Sequence, residues 1–212
     1  MTTNLTHRTN LRRSRRRGFT LTEIAIVLGI IGLILGSIWV AAGAVYNNLR
    51  VSRAETELLS IAQAVRTLYA TSSVTGDAAG INETGAFCAA SVFPTDMIPS
   101  VGCPAVKAAS TLVDPWNNIV TATSQTVKTD GDAFGIEFTG VTQGACINML
   151  TAATGEGRDP GLYYANATAA PVGAAVYGAA TAFPISAGTA AGLCASTAAP
   201  FNSVQFVFQL KG

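Results

Sequence analysis

The sequence predicts an α+β protein in which one long N-terminal helix packs on an antiparallel β-sheet. Residues 24–45 form a run of 22 residues without a charge, and apolar residues then recur at helical spacing as far as Leu68. Later segments alternate apolar and polar residues, as strands with one buried face do. With 49% hydrophobic and only 12% charged residues, the chain is too apolar to be disordered.

The first 18 residues form a basic leader with six arginines and no acid. The uncharged run that follows would be roughly 33 Å long as a helix, enough to cross the ~30 Å bilayer core. Arginines before such a run hold the N-terminus in the cytoplasm and send the rest outward. Two other interpretations are a secretory signal peptide cut at Ala42-Gly43-Ala44 and a permanent anchor, although signal peptides have shorter apolar regions.

Glu23 places a carboxylate at the edge of the apolar run. Such a group costs about 2–3 kcal/mol in a lone spanning helix and usually marks function. In a stack of subunits it would pair with the positive N-terminus of a neighbour, which would make it a registry residue. The alternative is an acid that only complements the helix dipole. Gly32 and Gly36 have the small-xxx-small spacing that lets spanning helices approach closely.

The second half of the helix is predicted to be amphipathic and to lie under the sheet. The whole helix is expected from Phe19 to about Ala70. Its apolar stripe consists of Val51, Ala54, Leu58, Ile61, Val65 and Leu68, with Arg53, Glu55, Glu57 and Arg66 outside it.

The remaining chain predicts three strands and one short helix. The strands are expected at Asn118–Thr123, after an irregular connection, and then at Ala133–Val141 and Ser203–Leu210, with a helix over Gln143–Ala153. Residues 151–200 contain 17 Ala and 7 Gly. This composition predicts either a flexible loop or a surface excursion anchored by its aromatic residues, namely Tyr163, Tyr164, Tyr177 and Phe183.

Catalysis by a histidine is excluded from the main part of the chain, because the one histidine, His7, lies in the leader. We therefore expect no catalytic residue, metal site or cofactor. The four cysteines contain no Cys-x-x-Cys pair and favour disulfides in an oxidising compartment. Three pairings are possible, and a short bridge Cys88–Cys103 would tie the irregular connection.

The junction of leader and apolar run carries a recognisable motif, Arg15-Arg16-Arg17-Gly18-Phe19-Thr20-Leu21-Thr22-Glu23, followed by residues 24–32. It resembles the class III prepilin leader of type IV pilins and pseudopilins. The resemblance implies the type IV pilin fold, cleavage by a prepilin peptidase between Gly18 and Phe19, and N-methylation of Phe19. Glu23 stands where this family has its glutamate.

Features of the later chain are similar to those of type IVb pilins. They are Asp114-Pro115-Trp116 before the sheet, Phe134-Gly135-Ile136 at the start of a strand, and a cysteine in the short helix. This resemblance implies a second disulfide, Cys146–Cys194.

The resemblance implies a prepilin with four parts: a leader (1–18), a transmembrane and polymerisation helix (19–45), an amphipathic half-helix (46–72) and a globular head (73–212). Before assembly the subunit would be anchored in the inner membrane with its head in the periplasm. It would then be incorporated into an extracellular fibre for adhesion, aggregation, motility or DNA transfer. Expected partners are its own copies, the peptidase, the inner-membrane assembly platform, and a host surface or DNA. The alternatives are a minor pilin, a type II secretion pseudopilin and a membrane-anchored periplasmic binding domain.

Overall fold

A computed structural model describes residues 19–105, 111–168, 182–195 and 201–211. The leader 1–18, with Gly18, and Tyr177 lie outside these residues. The chain forms two compact units, Met1–Ala44 and Val45–Gly212. Helix α1, Leu21–Leu68, contributes to both units. In the first unit the structure describes residues 19–44, nearly all of which belong to α1. The second unit contains the sheet and the remaining helices.

The amphipathic half of α1 supplies one wall of the core. Val51, Ala54, Leu58, Ile61 and Val65 are buried there, which confirms most of the predicted stripe. Two parts of that prediction were wrong. Leu68 is 46% exposed because α1 ends there, and Glu57, placed outside the stripe, is buried.

Within the residues that the structure describes, the sheet has four antiparallel strands in the order β1-β2-β4-β3. Their bounds are Val120–Gln125, Ala133–Thr142, Leu162–Thr168 and Phe201–Gln209, numbered β1 to β4 along the chain. Three of them confirm the predicted strands to within two residues at each end. In the central ladder, Phe134 pairs with Phe208 and Ile136 with Phe206, so the apolar residues of β2 and β4 share one face.

Strand β3 was not predicted, since it lies in the Ala- and Gly-rich region read as a loop or excursion. Leu162, Ala165 and Ala167 are buried as β3 pairs with β4, while Tyr163 and Tyr164 are half-buried. Small residues are weak strand formers, and pairing with a central strand overrides that preference. The flexible-loop interpretation is therefore wrong for residues 162–168.

The described part of the chain has three short helices beside α1: α2, Thr84–Ala89; α3, Gln143–Ala153; and α4, Ala187–Leu193. Helix α3 has the predicted bounds, whereas α2 and α4 were not predicted. Two disulfides join these pieces to the chain. Cys88–Cys103 links α2 to the following loop, and Cys146–Cys194 links α3 to the end of α4.

Aromatic residues fill the centre of the head. Phe134 stacks on Phe208 with ring centroids 5.6 Å apart, and Phe87 meets Phe134 edge to face at 6.5 Å. Tyr69, just after α1, packs against Phe87 in the same manner. These contacts tie α1, α2 and the sheet into one core, as such pairs add to plain burial.

Candidate functional site

Helix α1 begins at a short polar segment that satisfies its first donors. Glu23 donates its backbone N–H to the carbonyl oxygen of Thr20 at 3.1 Å, and Ile24 donates to the same oxygen at 3.2 Å. The Thr20 hydroxyl oxygen lies 3.3 Å from the Glu23 nitrogen and accepts from it as well. Threonine in this position is a usual helix cap, so the apolar helix starts at a defined residue.

Phe19 and Glu23 lie on the same face of this helix start. With Ile24, Val27 and Leu28 they line a shallow groove of about 240 Å³. The structure therefore brings together the two residues that the sequence singled out, on one apolar face that also carries a carboxylate.

The first part of α1 presents its apolar side chains outward. Seventeen of the 21 large hydrophobic residues that the described chain exposes lie between Phe19 and Leu49. Within the described residues, α1 is the one helix long and apolar enough to cross a membrane, and its most apolar window has no buried residue. A surface of this size does not persist in water, because apolar patches this large are covered by a membrane or by protein.

Gly32 and Gly36 lie in this exposed stretch. A Cβ atom built on either would meet nothing within 4 Å. Packing against the residues that the structure describes therefore gives no reason for glycine at these positions. Their predicted role, close approach of another helix, stays a prediction.

Models of two known protein families together match nearly the whole described chain. The model described as the prokaryotic N-terminal methylation motif matches residues 13–39, which include the start of α1. The model described as Bundlin matches residues 43–211, which include the amphipathic half of α1, the sheet and both disulfides.

The chain belongs to the bundlin family. It is thus a type IVb pilin subunit, a structural protein rather than an enzyme, with the type IV pilin fold. Its apolar N-terminal helix and prepilin motif agree with a stage in the membrane and a later stage in a pilus.

Two solved structures are similar to this pilin. One is TcpA, a type IV pilin from the Vibrio cholerae El Tor biotype, with 16% identity over 75% of this chain and 98% of that chain, at a TM-score of 0.49. The other is a type IVb pilin from Salmonella typhi, with 20% identity over 74% and 99% of the two chains, at a TM-score of 0.47. No curated protein sequence matches this chain.

The pilin head contains a buried carboxylate on the core side of α1. Glu57 accepts from the Arg53 Nε at 2.9 Å, while its other oxygen, Oε2, is enclosed and finds no hydrogen-bond partner among the described residues. Arg53 also pairs with Asp96 and so ties α1 to the loop after α2. The pKa of Glu57 is raised to about 7, chiefly by burial; the charges of Asp96 and Asp114 also raise it, whereas Arg53 lowers it.

Asp114 organises the turn that precedes β1. Its Oδ1 accepts the backbone N–H groups of Trp116 and Asn118, both at 2.8 Å. Asn117 adopts a φ of 64° within this turn, which asparagine tolerates better than most residues. Burial raises the pKa of Asp114 to about 6 in spite of these hydrogen bonds. Two buried carboxyls thus lie close enough to influence each other.

Arg66 joins three parts of the pilin head. Its Nη1 and Nη2 each lie 2.7 Å from an Asp159 oxygen, and its Nε donates to the Gln209 carbonyl oxygen at 3.2 Å. The guanidinium also lies 5.8 Å from the ring centre of Phe208. Although burial acts in the opposite sense, the Arg66 hydrogen bond lowers the pKa of Asp159. This clamp fixes the start of β3 against α1 and β4.

Sequence reasoning missed Glu57, Arg66 and Asp159 as structural groups. Helical spacing gave a partial signal, since Glu57 precedes the stripe residue Leu58 and follows Ala54 by three positions. No local pattern linked Arg66 to Asp159, which lies 93 residues further along the chain. Such a pairing exists only once β3 has joined the sheet.

Proposed function

We propose that this pilin is made as a prepilin, is cut between Gly18 and Phe19, and polymerises through the first part of α1 into a surface fibre. The observation that carries the proposal is the exposed apolar surface of the first part of α1, between Phe19 and Leu49. This part is called the stem below. A membrane covers that stem before assembly, and the stems of other copies cover it in the fibre. Residues 1–18, 19–45, 46–72 and 73–212 then correspond to leader, assembly helix, amphipathic half-helix and head.

Glu23 sets the register between copies in this proposal. Cleavage leaves a free amine on Phe19, which becomes methylated and stays positively charged. Inside a bundle of apolar helices a lone carboxylate is costly, and so is a lone amine. Pairing Glu23 of one copy with the Phe19 amine of another removes both costs at a single axial offset. Gly32 and Gly36 allow the stems to approach closely along the same bundle.

Before assembly, the arginine-rich leader keeps the N-terminus cytoplasmic and the head periplasmic. Both disulfides form there, because that compartment is oxidising. The prepilin peptidase and the inner-membrane assembly platform are the partners of this stage. The finished fibre would serve adhesion, aggregation, motility or DNA transfer by contacts of the heads with a host surface or with DNA.

N-terminal sequencing of the chain from fibres sheared off cells tests the processing step. A start at N-methylated Phe19 is expected. A start at Val45 would indicate a secreted domain, and a start at Met1 an unprocessed anchor, and either would refute the proposal. The abundance of the chain in those fibres separates a main subunit from a minor pilin, while loss of protein secretion without surface fibres would indicate a pseudopilin.

The Glu23→Ala variant tests the registry step. We expect normal cleavage and a folded head, with fibre yield reduced at least tenfold because the amine of the adjoining copy lacks its counter-charge. Thr22→Ala is the matched control, since it changes the same turn of the helix and keeps the carboxylate. Wild-type fibre yield from Glu23→Ala would show that the carboxylate does not set the register.

A further inference from the structure

A groove with an apolar floor and a charged rim lies beside the amphipathic half of α1. Its volume is about 90 Å³. Leu58, Leu59, Ala152 and Ala153 supply the apolar part. The rim consists of Glu55, Glu156, Gly157, Arg158 and Asp159.

Two of the three rim carboxylates take part in no ion pair among the described residues. Asp159 is bound by Arg66, and the Arg158 guanidinium lies 5.2 Å from the ring centre of Phe183. Glu55 and Glu156 form no ion pair with any residue that the structure describes. Burial raises the pKa of Glu55, as expected for a half-covered carboxyl.

These features match the side chain of a lysine or an arginine. Such side chains lay their methylene groups along apolar surface and keep the charged end at a polar rim. A cation placed between Glu55 and Glu156 would form charge-assisted hydrogen bonds to either carboxylate. The floor, formed by Leu58, Leu59 and the α3 alanines, would cover the methylene groups.

Lys128 is an exposed cation held on a rigid turn between β1 and β2. The Asp132 carboxylate accepts the backbone N–H groups of Val127, Lys128 and Thr129 at 2.7, 2.8 and 3.1 Å. Gly131 closes the turn with a φ of 75° and is buried against Thr75. Lys128 forms no ion pair within the described residues, and its backbone needs little ordering on binding.

The groove and Lys128 belong to different patches of the surface. The strand order β1-β2-β4-β3 places β1 at one edge and β3 at the other. Lys128 follows β1, whereas Glu156 lies in the turn between α3 and β3. A contact between two different patches is heterologous, and its repetition builds a ring where the rotation closes and an open helical polymer where it does not.

We propose that Lys128 of one copy inserts into the groove of a second copy, between Glu55 and Glu156, as a contact between heads in the fibre. This inference rests on the proposed polymer and adds a second, polar contact to the one made by the stems. The group that binds in the groove would be the ammonium group of Lys128 from an adjacent copy.

Zero-length carbodiimide cross-linking of sheared fibres tests the contact, because this reagent joins only amines and carboxylates that touch. We expect cross-linked peptides that join Lys128 to Glu55 or Glu156, and none in detergent-solubilised monomer. Fibres in which Lys128 joins other carboxylates, or none, would overturn the contact and leave the polymer standing. Absence of fibres from the wild-type chain would overturn the proposed polymer and this contact with it.

Charge exchange gives a second, independent measurement. Lys128→Glu and Glu156→Lys should each lower the fraction of subunits that remains in fibres at a fixed salt concentration about fivefold, the effect of roughly 1 kcal/mol. The double variant should recover most of that loss. Lys211→Glu is the matched control, an exposed lysine outside the contact. Single-variant losses without recovery in the double variant would contradict the pairing.

Discussion

Removing the buried charge of Glu57 should make the stability of the head less sensitive to pH. The carboxyl is nearly enclosed, with its side chain 6% exposed, and its Oε2 has no hydrogen-bond partner in the part of the chain that the structure describes. Its pKa is raised from 4.5 to about 7, chiefly by burial. The Glu57→Gln substitution keeps the shape and an acceptor for Arg53 but cannot ionise.

The sign follows from proton binding by the two states. Between pH 4.5 and about 7 the folded protein holds a proton on Glu57 that the unfolded chain has released. The free energy of unfolding therefore falls as pH rises through this window, and it levels off above it. At 1.36 kcal/mol per pKa unit, the full fall attributable to Glu57 is at most about 3 kcal/mol.

Urea unfolding of the full chain in detergent micelles would measure this effect. A Trp39→Phe background leaves Trp116 as the fluorescent reporter of the head, since the chain has two tryptophans. We expect wild type and Glu57→Gln to be nearly equal at pH 4.5. At pH 8 the variant should be more stable, by up to about 3 kcal/mol.

Glu156→Gln is the control for this experiment, because it removes an exposed carboxylate from the same head. Its effect on unfolding should be small at both pH values, as for most surface changes. An equal difference between wild type and Glu57→Gln at pH 4.5 and pH 8 would refute the argument from the buried charge. The argument would also be refuted if the free energy of unfolding of the wild type rose between pH 4.5 and about 7 in parallel with that of the variant.

Two further predictions concern the supports of the head. Gly161→Ala should destabilise it by about 1–3 kcal/mol in urea unfolding, because the new Cβ would clash with the Arg66 guanidinium nitrogen Nη2, which is held in place by Asp159. Gly144→Ala, at an open position, should not destabilise it, and equal losses from both would contradict this role for the clamp. Replacing both cysteines of Cys146–Cys194 by serine should cost about 4 kcal/mol of unfolding free energy, against about 3 for the same change in the 15-residue bridge. A larger loss for Cys88–Cys103 than for Cys146–Cys194 in the same assay would show that loop length does not determine how much each disulfide stabilises the head.

Local sequence was sufficient for the elements whose patterns are strong over their own length. The apolar run fixes a helix with Glu23 near its start, because 22 uncharged residues leave few alternatives. Alternation around Phe134 and Phe206 predicts two strands that the sheet places side by side. The bounds of α3 also follow from its local pattern.

Tertiary structure decided the features that depend on residues distant in sequence. Strand β3 has weak local preference and exists because β4 offers it an unpaired edge. Glu57 is buried because loops carrying Asp96 and Asp114 pack against α1, which helical spacing alone does not reveal. The groove between α1 and α3 likewise requires two elements almost 100 residues apart to meet. The spacing of apolar residues identifies the buried face of a single helix or strand. The environment of a charged side chain depends on which other elements pack against that helix or strand.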